Sequence, residues 1–211
     1  MIETRVPRIE KEPQGKMTIT VLGPSCSGKT TLLAHLRESG MTVHPEPDNE
    51  IFQLFIKNPH KFGYLNQLNL STRLMALEAQ NDASGNNSPH FIESGVLATD
   101  IYNRYLRDQG HISTEEFTYL NWMYKHHFST HPKPDLVVYL SAEDEELKKR
   151  SVMRDGAVAL EPSKLQPYWD RLVREIENNG VTVLKINTSI YSPVEVTHML
   201  LQEIKNLRPN R

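Results

Sequence analysis

Short apolar runs alternate with longer amphipathic stretches along the chain from Met17 onward. The apolar runs predict five strands, at 17–22, 41–46, 90–94, 135–140 and 181–186. The amphipathic stretches predict helices at 28–39, 48–57, 63–82, 95–108, 113–129, 143–153, 165–178 and 193–206. Because strands joined by helical crossovers pair in parallel, the pattern predicts an α/β fold, a five-stranded parallel sheet with helices on both faces.

Residues 1–16 lack this pattern and are charged and proline-containing, so we expect a flexible N-terminal arm followed by one domain at 17–211. A chain of 211 residues with 38% hydrophobic and 24% charged residues suits one globular domain. The arm has no apolar core like that of a signal peptide, and no apolar run reaches the 18 residues or so of a membrane span. These features lead us to expect a cytoplasmic protein without a membrane segment.

Charge and cysteine content narrow the possible partners. The formal net charge is −2, which gives no general attraction to nucleic acid, so no stable nucleic acid complex is expected. Cys26 is the single cysteine and cannot form an internal disulfide, which fits a reducing compartment. The histidines His126, His127 and His131 lack neighbouring acids or cysteines that would complete a metal site.

The clearest chemical signal is the segment Gly-Pro-Ser-Cys-Ser-Gly-Lys-Thr, which fits the pattern G-x-x-x-x-G-K-[ST] between a predicted strand and a predicted helix. In such a loop, backbone N–H groups and the helix N-terminus face phosphate oxygens. The predicted nucleotide-binding residues are Gly23, Pro24, Ser25, Cys26, Ser27, Gly28, Lys29, Thr30 and Thr31. Lys29 would reach the β- and γ-phosphates of ATP, and the Thr30 hydroxyl would bind Mg²⁺.

Two carboxylates end predicted strands, at the sheet edge where ligands of open α/β folds bind. Glu46 ends the second strand and can accept the proton of an attacking hydroxyl group. Glu93 lies at the end of the third strand and can hold Mg²⁺ directly or through water. The alternatives are a solvated strand-end glutamate for Glu46 and an acid at a helix N-terminus for Glu93.

One predicted helix carries side chains suited to a nucleobase. An amide, Asn66 or Gln67, precedes Arg73 by seven or six residues, and residues seven apart share a helix face, which favours Asn66. An amide reads the donor and acceptor edge of a base, and an arginine binds a base, a sugar oxygen or a phosphate. Phe55 is one of several aromatic residues here that can stack on a base or pack in the core.

These segments resemble the deoxynucleoside kinase family over most of residues 17–206. The resemblance is carried by GPSCSGKTT, HPEP, FIKNPHKFGYLNQLNLSTRL, the third strand with its acid, PDLVVYL and LQPYWDRL. It implies a P-loop kinase fold with a short lid, and ATP and Mg²⁺ as cofactors. It also implies transfer of the γ-phosphoryl group to the 5′-hydroxyl of a deoxynucleoside, and a homodimer formed through residues 95–129.

The resemblance assigns roles to single residues. Glu46 takes the part of the general base, and the base-binding roles fall on Asn66 or Gln67, on Arg73 and on Asp100. Arg150 and Arg154 match arginines that close the lid over the transferring phosphate, and their spacing of four puts both on one helix face. A further lid arginine of the family is replaced by Gly156.

The chain departs from the family after the third strand. The family has an acid followed by arginine and serine, whereas this chain reads Glu93-Ser94-Gly95. The acceptor therefore stays open between a nucleoside, a nucleoside monophosphate and a hydroxymethylated base. Glu46 favours a neutral hydroxyl acceptor, because a phosphate acceptor is already anionic and needs no base. A third hypothesis is a nucleotide-dependent switch or ATPase without a small-molecule acceptor.

Overall fold

The computed structural model describes residues 16–84, 88–155 and 161–207. The strands are β1 (Met17–Leu22), β2 (Thr42–His44), β3 (Pro89–Glu93), β4 (Leu136–Ser141) and β5 (Thr182–Asn187). The helices are α1 (Lys29–Glu38), α2 (Phe52–Lys57), α3 (Pro59–Ala83), α4 (Gly95–Asp108), α5 (Thr114–Thr130), α6 (Asp144–Asp155), α7 (Pro162–Asn178) and α8 (Pro193–Asn206). Apart from Lys16, the predicted arm lies outside the described residues, as does Gly156.

The strands form one parallel sheet in the order β2-β3-β1-β4-β5, which confirms the predicted fold class. β1 lies at the centre, with Ile19 opposite Phe91 of β3 and Leu136 of β4. Because all the strands run in the same direction, their carboxyl ends meet at one edge of the sheet. That edge holds the glycine loop after β1 and the acid at the end of β3.

Two hydrophobic clusters lie on the two faces of the sheet. Side chains of β4 alternate between them, as the pleat requires: Val137 and Tyr139 pack in the cluster with α4, α5 and α7, and Val138 packs in the cluster with α1 and α8. Trp169 of α7 is the largest fully buried side chain and belongs to the first cluster. The prediction of helices on both faces is therefore confirmed.

Several predicted boundaries are wrong. β2 ends at His44, so Glu46 lies two residues beyond the strand. The helix predicted from residue 48 begins only at Phe52, because the Asn49 side chain accepts a hydrogen bond from the backbone N–H of Ile51 (3.2 Å) and folds the segment into a local turn. α3 begins at Pro59 rather than residue 63.

The early start of α3 has a local cause. Asn58 is the N-cap, its side chain accepts a hydrogen bond from the backbone N–H of Lys61 at 3.1 Å, and Pro59 occupies the first helical position. α7 likewise begins with a proline, Pro162, rather than at residue 165. Among the described residues, none of the helices combines the length and apolar composition needed to cross a bilayer.

Candidate active site

The glycine loop after β1 has the backbone conformation of a tight anion-binding turn. Gly23 has a φ of +148°, and a Cβ there would lie only 2.2 Å from the Leu140 carbonyl oxygen, so no larger residue fits. Cys26 and Gly28 also have positive φ, at 65° and 94°. Cys26 is thus a conformationally unusual loop residue, and non-glycine residues in this region cluster at functional sites. α1 then starts at Lys29, with its free N–H groups at the loop.

Lys29 is held inside the loop. Its Nζ donates to the carbonyl oxygens of Gly23 (2.9 Å) and Pro24 (3.0 Å). Burial lowers the pKa of Lys29, and the carboxylates of Glu46 and Glu93 act in the opposite direction. The ammonium group therefore lies near both predicted carboxylates, where it can neutralise phosphate charge.

Hydrogen bonds link the predicted metal and proton-acceptor residues into one group. The Thr30 hydroxyl donates to Oε1 of Glu93 at 2.7 Å, and the backbone N–H of Glu46 donates to Oε2 of Glu93 at 3.3 Å. The Ser94 hydroxyl donates to Oε2 of Glu46 at 2.6 Å. Glu93 and Ser94 are buried, whereas Glu46 is exposed and can be reached by a substrate.

The Thr30–Glu93 pair has the donor chemistry that Mg²⁺ requires. Both side chains offer hard oxygen ligands, and Mg²⁺ at nucleotide sites is usually bound by one or two protein oxygens together with substrate phosphates and water. The two oxygens lie beside Lys29, where a nucleotide phosphate would be bound. The residues present therefore fit a magnesium ion.

The two predicted lid arginines of α6 contact the loop. Arg150 donates to the Cys26 carbonyl oxygen (3.4 Å), to the hydroxyl and carbonyl oxygens of Thr188 (both 3.0 Å) and to Glu146 (2.8 Å). Arg154 donates to the Ser25 hydroxyl at 3.0 Å. Both guanidinium groups therefore contact the glycine loop, and their role as lid residues stays a prediction.

On α3, Asn66 and Arg73 face the segment that follows Glu46. Oδ1 of Asn66 accepts a hydrogen bond from Asn49 at 2.8 Å, and Arg73 donates to the carbonyl oxygen of Asp48. Gln67 is also buried, and its Oε1 has no hydrogen-bond partner among the described residues. Of the two predicted amides, Asn66 is therefore the one that shares a face with Arg73.

Asp100, which the resemblance assigns to base binding, is paired with an arginine of its own helix. Its Oδ2 accepts a hydrogen bond from Nε of Arg104, one turn along α4, at 2.7 Å. The Arg104 guanidinium also lies 5.7 Å from the centre of the Phe117 ring. Phe55 is 5% exposed and packs in the core, so its ring has the role of a core residue in this structure.

Four residues that the sequence analysis did not assign to the site contact its predicted residues. Ser94 binds Glu46, Asn49 orients Asn66, and Thr188 holds Arg150. Burial raises the pKa of Tyr102, and the nearby Glu46 carboxylate raises it further. Thr188 directly follows β5, so the rule that sites form at carboxyl ends of strands could have found it. The other contacts depend on tertiary structure.

Comparisons with known proteins bear on the family and the fold. The family model for deoxynucleoside kinase matches residues 19–207. Three solved structures of deoxyadenosine kinase from M. mycoides contain dATP, dCTP, or the products dCMP and a flexible dCDP. Each of the three is 15% identical to this chain in sequence, and each match covers 90% of this chain. In the same order, the matches cover 99%, 100% and 100% of the kinase chains, with TM-scores of 0.71, 0.71 and 0.72. No curated protein matches the sequence.

Proposed function

The chain belongs to the deoxynucleoside kinase family, and from this premise we propose that it transfers the γ-phosphoryl group of ATP to the 5′-hydroxyl of a deoxynucleoside. A bond forms between the 5′-oxygen and the γ-phosphorus, the bond from that phosphorus to the bridging oxygen breaks, and ADP leaves. The hydroxyl proton passes to the Glu46 carboxylate. The products are a deoxynucleoside 5′-monophosphate and ADP.

The observation that carries this proposal is the group formed by Lys29, Glu46, Glu93 and Ser94. An exposed carboxylate lies beside a buried carboxylate and a loop lysine, so a proton acceptor and a phosphate-binding cation share one site. Ser94 binds one oxygen of Glu46 and leaves the other for the substrate hydroxyl. General-base catalysis of this kind contributes typically about 10²–10⁴-fold to the rate.

The other residues bind and orient the nucleotide. Lys29, Arg150 and Arg154 supply positive charge around the loop, where charge develops as the phosphoryl group moves. Thr30 and Glu93 would hold a Mg²⁺ ion, which neutralises the β- and γ-phosphate oxygens when bound. The backbone N–H groups of the loop bind the remaining oxygens.

The arginines of the acceptor side favour a neutral acceptor over a monophosphate. Arg73 already donates to the Asp48 carbonyl, and Arg104 is paired with Asp100. Ser94, which is uncharged, occupies the position where the family has an arginine. An acceptor phosphate would bring two negative charges close to Glu46 and Glu93, and like charges at short range disfavour binding.

The base-binding role is assigned to Asn66 and to the Asp100–Arg104 pair. Asn49 holds Oδ1 of Asn66, which leaves the amide N–H₂ group to donate to a base, and the carboxylate of Asp100 can accept from an exocyclic amino group. The M. mycoides structures contain adenine and cytosine nucleotides, whose bases both have an amino group. Deoxyadenosine and deoxycytidine are therefore the first acceptors to assay.

The homodimer implied by the resemblance also remains a proposal. α5 lies within the implied interface, and its side chains Tyr119 and Trp122 are 47% and 57% exposed and stack on each other. Light scattering after size exclusion, on the wild type and Trp122→Ala, tests this assignment. A wild-type monomer would contradict it.

The test of the proposed function compares Glu46→Gln with Glu50→Gln, a neighbouring exposed carboxylate. The purified protein is incubated with γ-labelled ATP, Mg²⁺ and a panel of nucleosides and nucleoside monophosphates. We expect label on one or more deoxynucleosides, and a fall of roughly 10²-fold or more for Glu46→Gln only. Equal rates in both variants, or label only on monophosphates, would contradict the role of Glu46.

A further inference from the structure

α4 begins without a cap from its own N-cap residue. Ser94 occupies the N-cap position, and serine is preferred there because its side-chain oxygen accepts a hydrogen bond from a backbone N–H two or three residues later. Here its side chain makes no such bond, and its φ and ψ are 64° and −50° rather than extended. The Ser94 hydroxyl instead donates to Glu46 at 2.6 Å. The cap must therefore come from elsewhere.

Glu78 of α3 supplies that cap. Its Oε1 accepts a hydrogen bond from the backbone N–H of Val96 at 2.7 Å, the N–H that an ordinary serine cap would bind. Val96 is fully buried, so this N–H has no access to water as an alternative partner. A carboxylate at a helix N-terminus is also favoured by the helix dipole.

A histidine of α5 fixes the Glu78 carboxylate. Nε2 of His127 lies 2.7 Å from Oε2 of Glu78, and the His127 side chain is 3% exposed. The ring of His131 stacks on His127 with the ring centres 4.3 Å apart. Glu78 thus joins three helices at the point where the chain leaves β3 and enters α4.

We propose that Glu78 is a positioning residue for phosphoryl transfer. By capping α4, it holds the start of the helix where the Ser94 hydroxyl orients the carboxylate of Glu46. Without Glu78, the buried Val96 N–H would lose its acceptor, and the start of α4 would shift and carry the Ser94 hydroxyl away from Glu46. This inference rests on the proposed role of Glu46 as the proton acceptor.

The test is a double-mutant cycle on kcat with Glu78→Ala, Ser94→Ala and the double variant. Each single change should lower kcat by about 10- to 100-fold, the rate equivalent of one lost hydrogen bond to a charged group. The double variant should be no slower than Ser94→Ala, because both changes remove the same contact to Glu46. The KM for ATP should stay nearly constant, and Glu78→Gln, which keeps an acceptor oxygen for Val96, should restore most of kcat.

Glu195→Ala is the matched structural control. Glu195 belongs to the capping box of α8 with Ser192, and its carboxylate accepts hydrogen bonds from the backbone N–H and the hydroxyl group of Ser192. It should lower the melting temperature with kcat unchanged. The inference would be overturned if the double variant lowered kcat by the product of the two single effects. It would also be overturned if kcat fell no further in Glu78→Ala than in Glu195→Ala.

Two further variants keep the outcomes separable. If Glu78→Ala does not fold, Glu78→Asp takes its place in the double-mutant cycle with Ser94→Ala. The aspartate keeps the negative charge near His127, and its side chain is one methylene too short to cap Val96. Glu46→Gln tests the premise. An unchanged rate in Glu46→Gln refutes the role of Glu46 as the proton acceptor, whereas a slow Glu46→Gln beside a fully active Glu78→Ala refutes the positioning role alone.

Discussion

Gly95, the first residue of α4, is where one added methyl group tests the active-site geometry most sharply. Its φ of +55° lies in the left-handed region that L side chains rarely adopt, and a Cβ there would lie 2.8 Å from Oε1 of Glu78 and 3.0 Å from Cγ2 of Thr20. Gly110 is the matched comparison, because its φ is +69° and a Cβ there meets no described atom within 4 Å. Gly95→Ala and Gly110→Ala therefore share the backbone strain and differ in the close contacts with Glu78 and Thr20.

The expected magnitudes follow from these contacts. Alanine in the left-handed region costs about 1–2 kcal/mol at either position. In Gly95→Ala the Glu78 carboxylate must also move away from the Val96 N–H, and a hydrogen bond to a charged group contributes about 1.5–3 kcal/mol. The free energy of unfolding should then fall by about 2.5–5 kcal/mol in Gly95→Ala and by about 1–2 kcal/mol in Gly110→Ala. For a domain of this size each kcal/mol shifts Tm by about 2–4 °C, so the two variants should differ by about 3–12 °C.

Thermal unfolding followed by far-UV circular dichroism measures this difference, and initial rates with γ-labelled ATP measure its effect on the site. We expect Gly95→Ala to lose activity at temperatures where it is still folded, because the chain that carries Ser94 is displaced. Gly110→Ala should keep wild-type activity. Equal melting temperatures for the two variants would refute the reasoning, since the contact with Glu78 would then contribute nothing.

Two further predictions concern the lid and the edge of the sheet. Arg150→Gln should lower kcat by roughly 10²-fold, because positive charge at the transferring phosphate is lost, and steady-state rates with ATP measure this change. The control is Lys149→Gln, on the same helix and 69% exposed, which should change kcat little. Equal losses of kcat in the two variants would contradict the lid assignment. Burial and the adjacent His90 lower the pKa of His44, so the unfolded chain binds a proton that the folded chain does not. The folded protein should therefore lose stability as the pH falls below the ordinary histidine pKa of about 6.5 toward the lower pKa of His44 in the folded state. In urea unfolding at several pH values, the free energy of unfolding should depend less on pH in His44→Gln than in the wild type. His198 is exposed, so His198→Gln is the control. The same pH dependence in both variants would contradict the role of His44.

Local sequence signals predicted the elements that depend on local physics. The apolar runs located all five strands of the described sheet, and the glycine pattern located the tight loop that precedes Lys29 and Thr30. The Asn58-Pro59 cap was present in the sequence as well, so the true start of α3 was predictable. The irregular segment before α2 was harder, because the side chain of Asn49 competes with the helix for the Ile51 N–H.

The rest of the site depends on contacts between segments far apart in the chain. Asn66 accepts a hydrogen bond from Asn49, 17 positions away, and Arg73 donates to the Asp48 carbonyl oxygen, 25 positions away. The Glu78–His127 contact joins residues 49 positions apart, and its role appears only once α4 is seen to lack a serine cap. Spacing within one helix cannot predict which distant side chain satisfies a buried N–H.

The most direct test of the central claim is a competition between acceptors. A deoxynucleoside and its own 5′-monophosphate are offered together with γ-labelled ATP and Mg²⁺, and kcat/KM is measured for each from the labelled products. The account predicts that label enters the deoxynucleoside, that the product is the 5′-monophosphate by phosphorus NMR, and that this acceptor has the larger kcat/KM. Label entering only the monophosphate, or release of phosphate at the same rate with and without an acceptor, would contradict it.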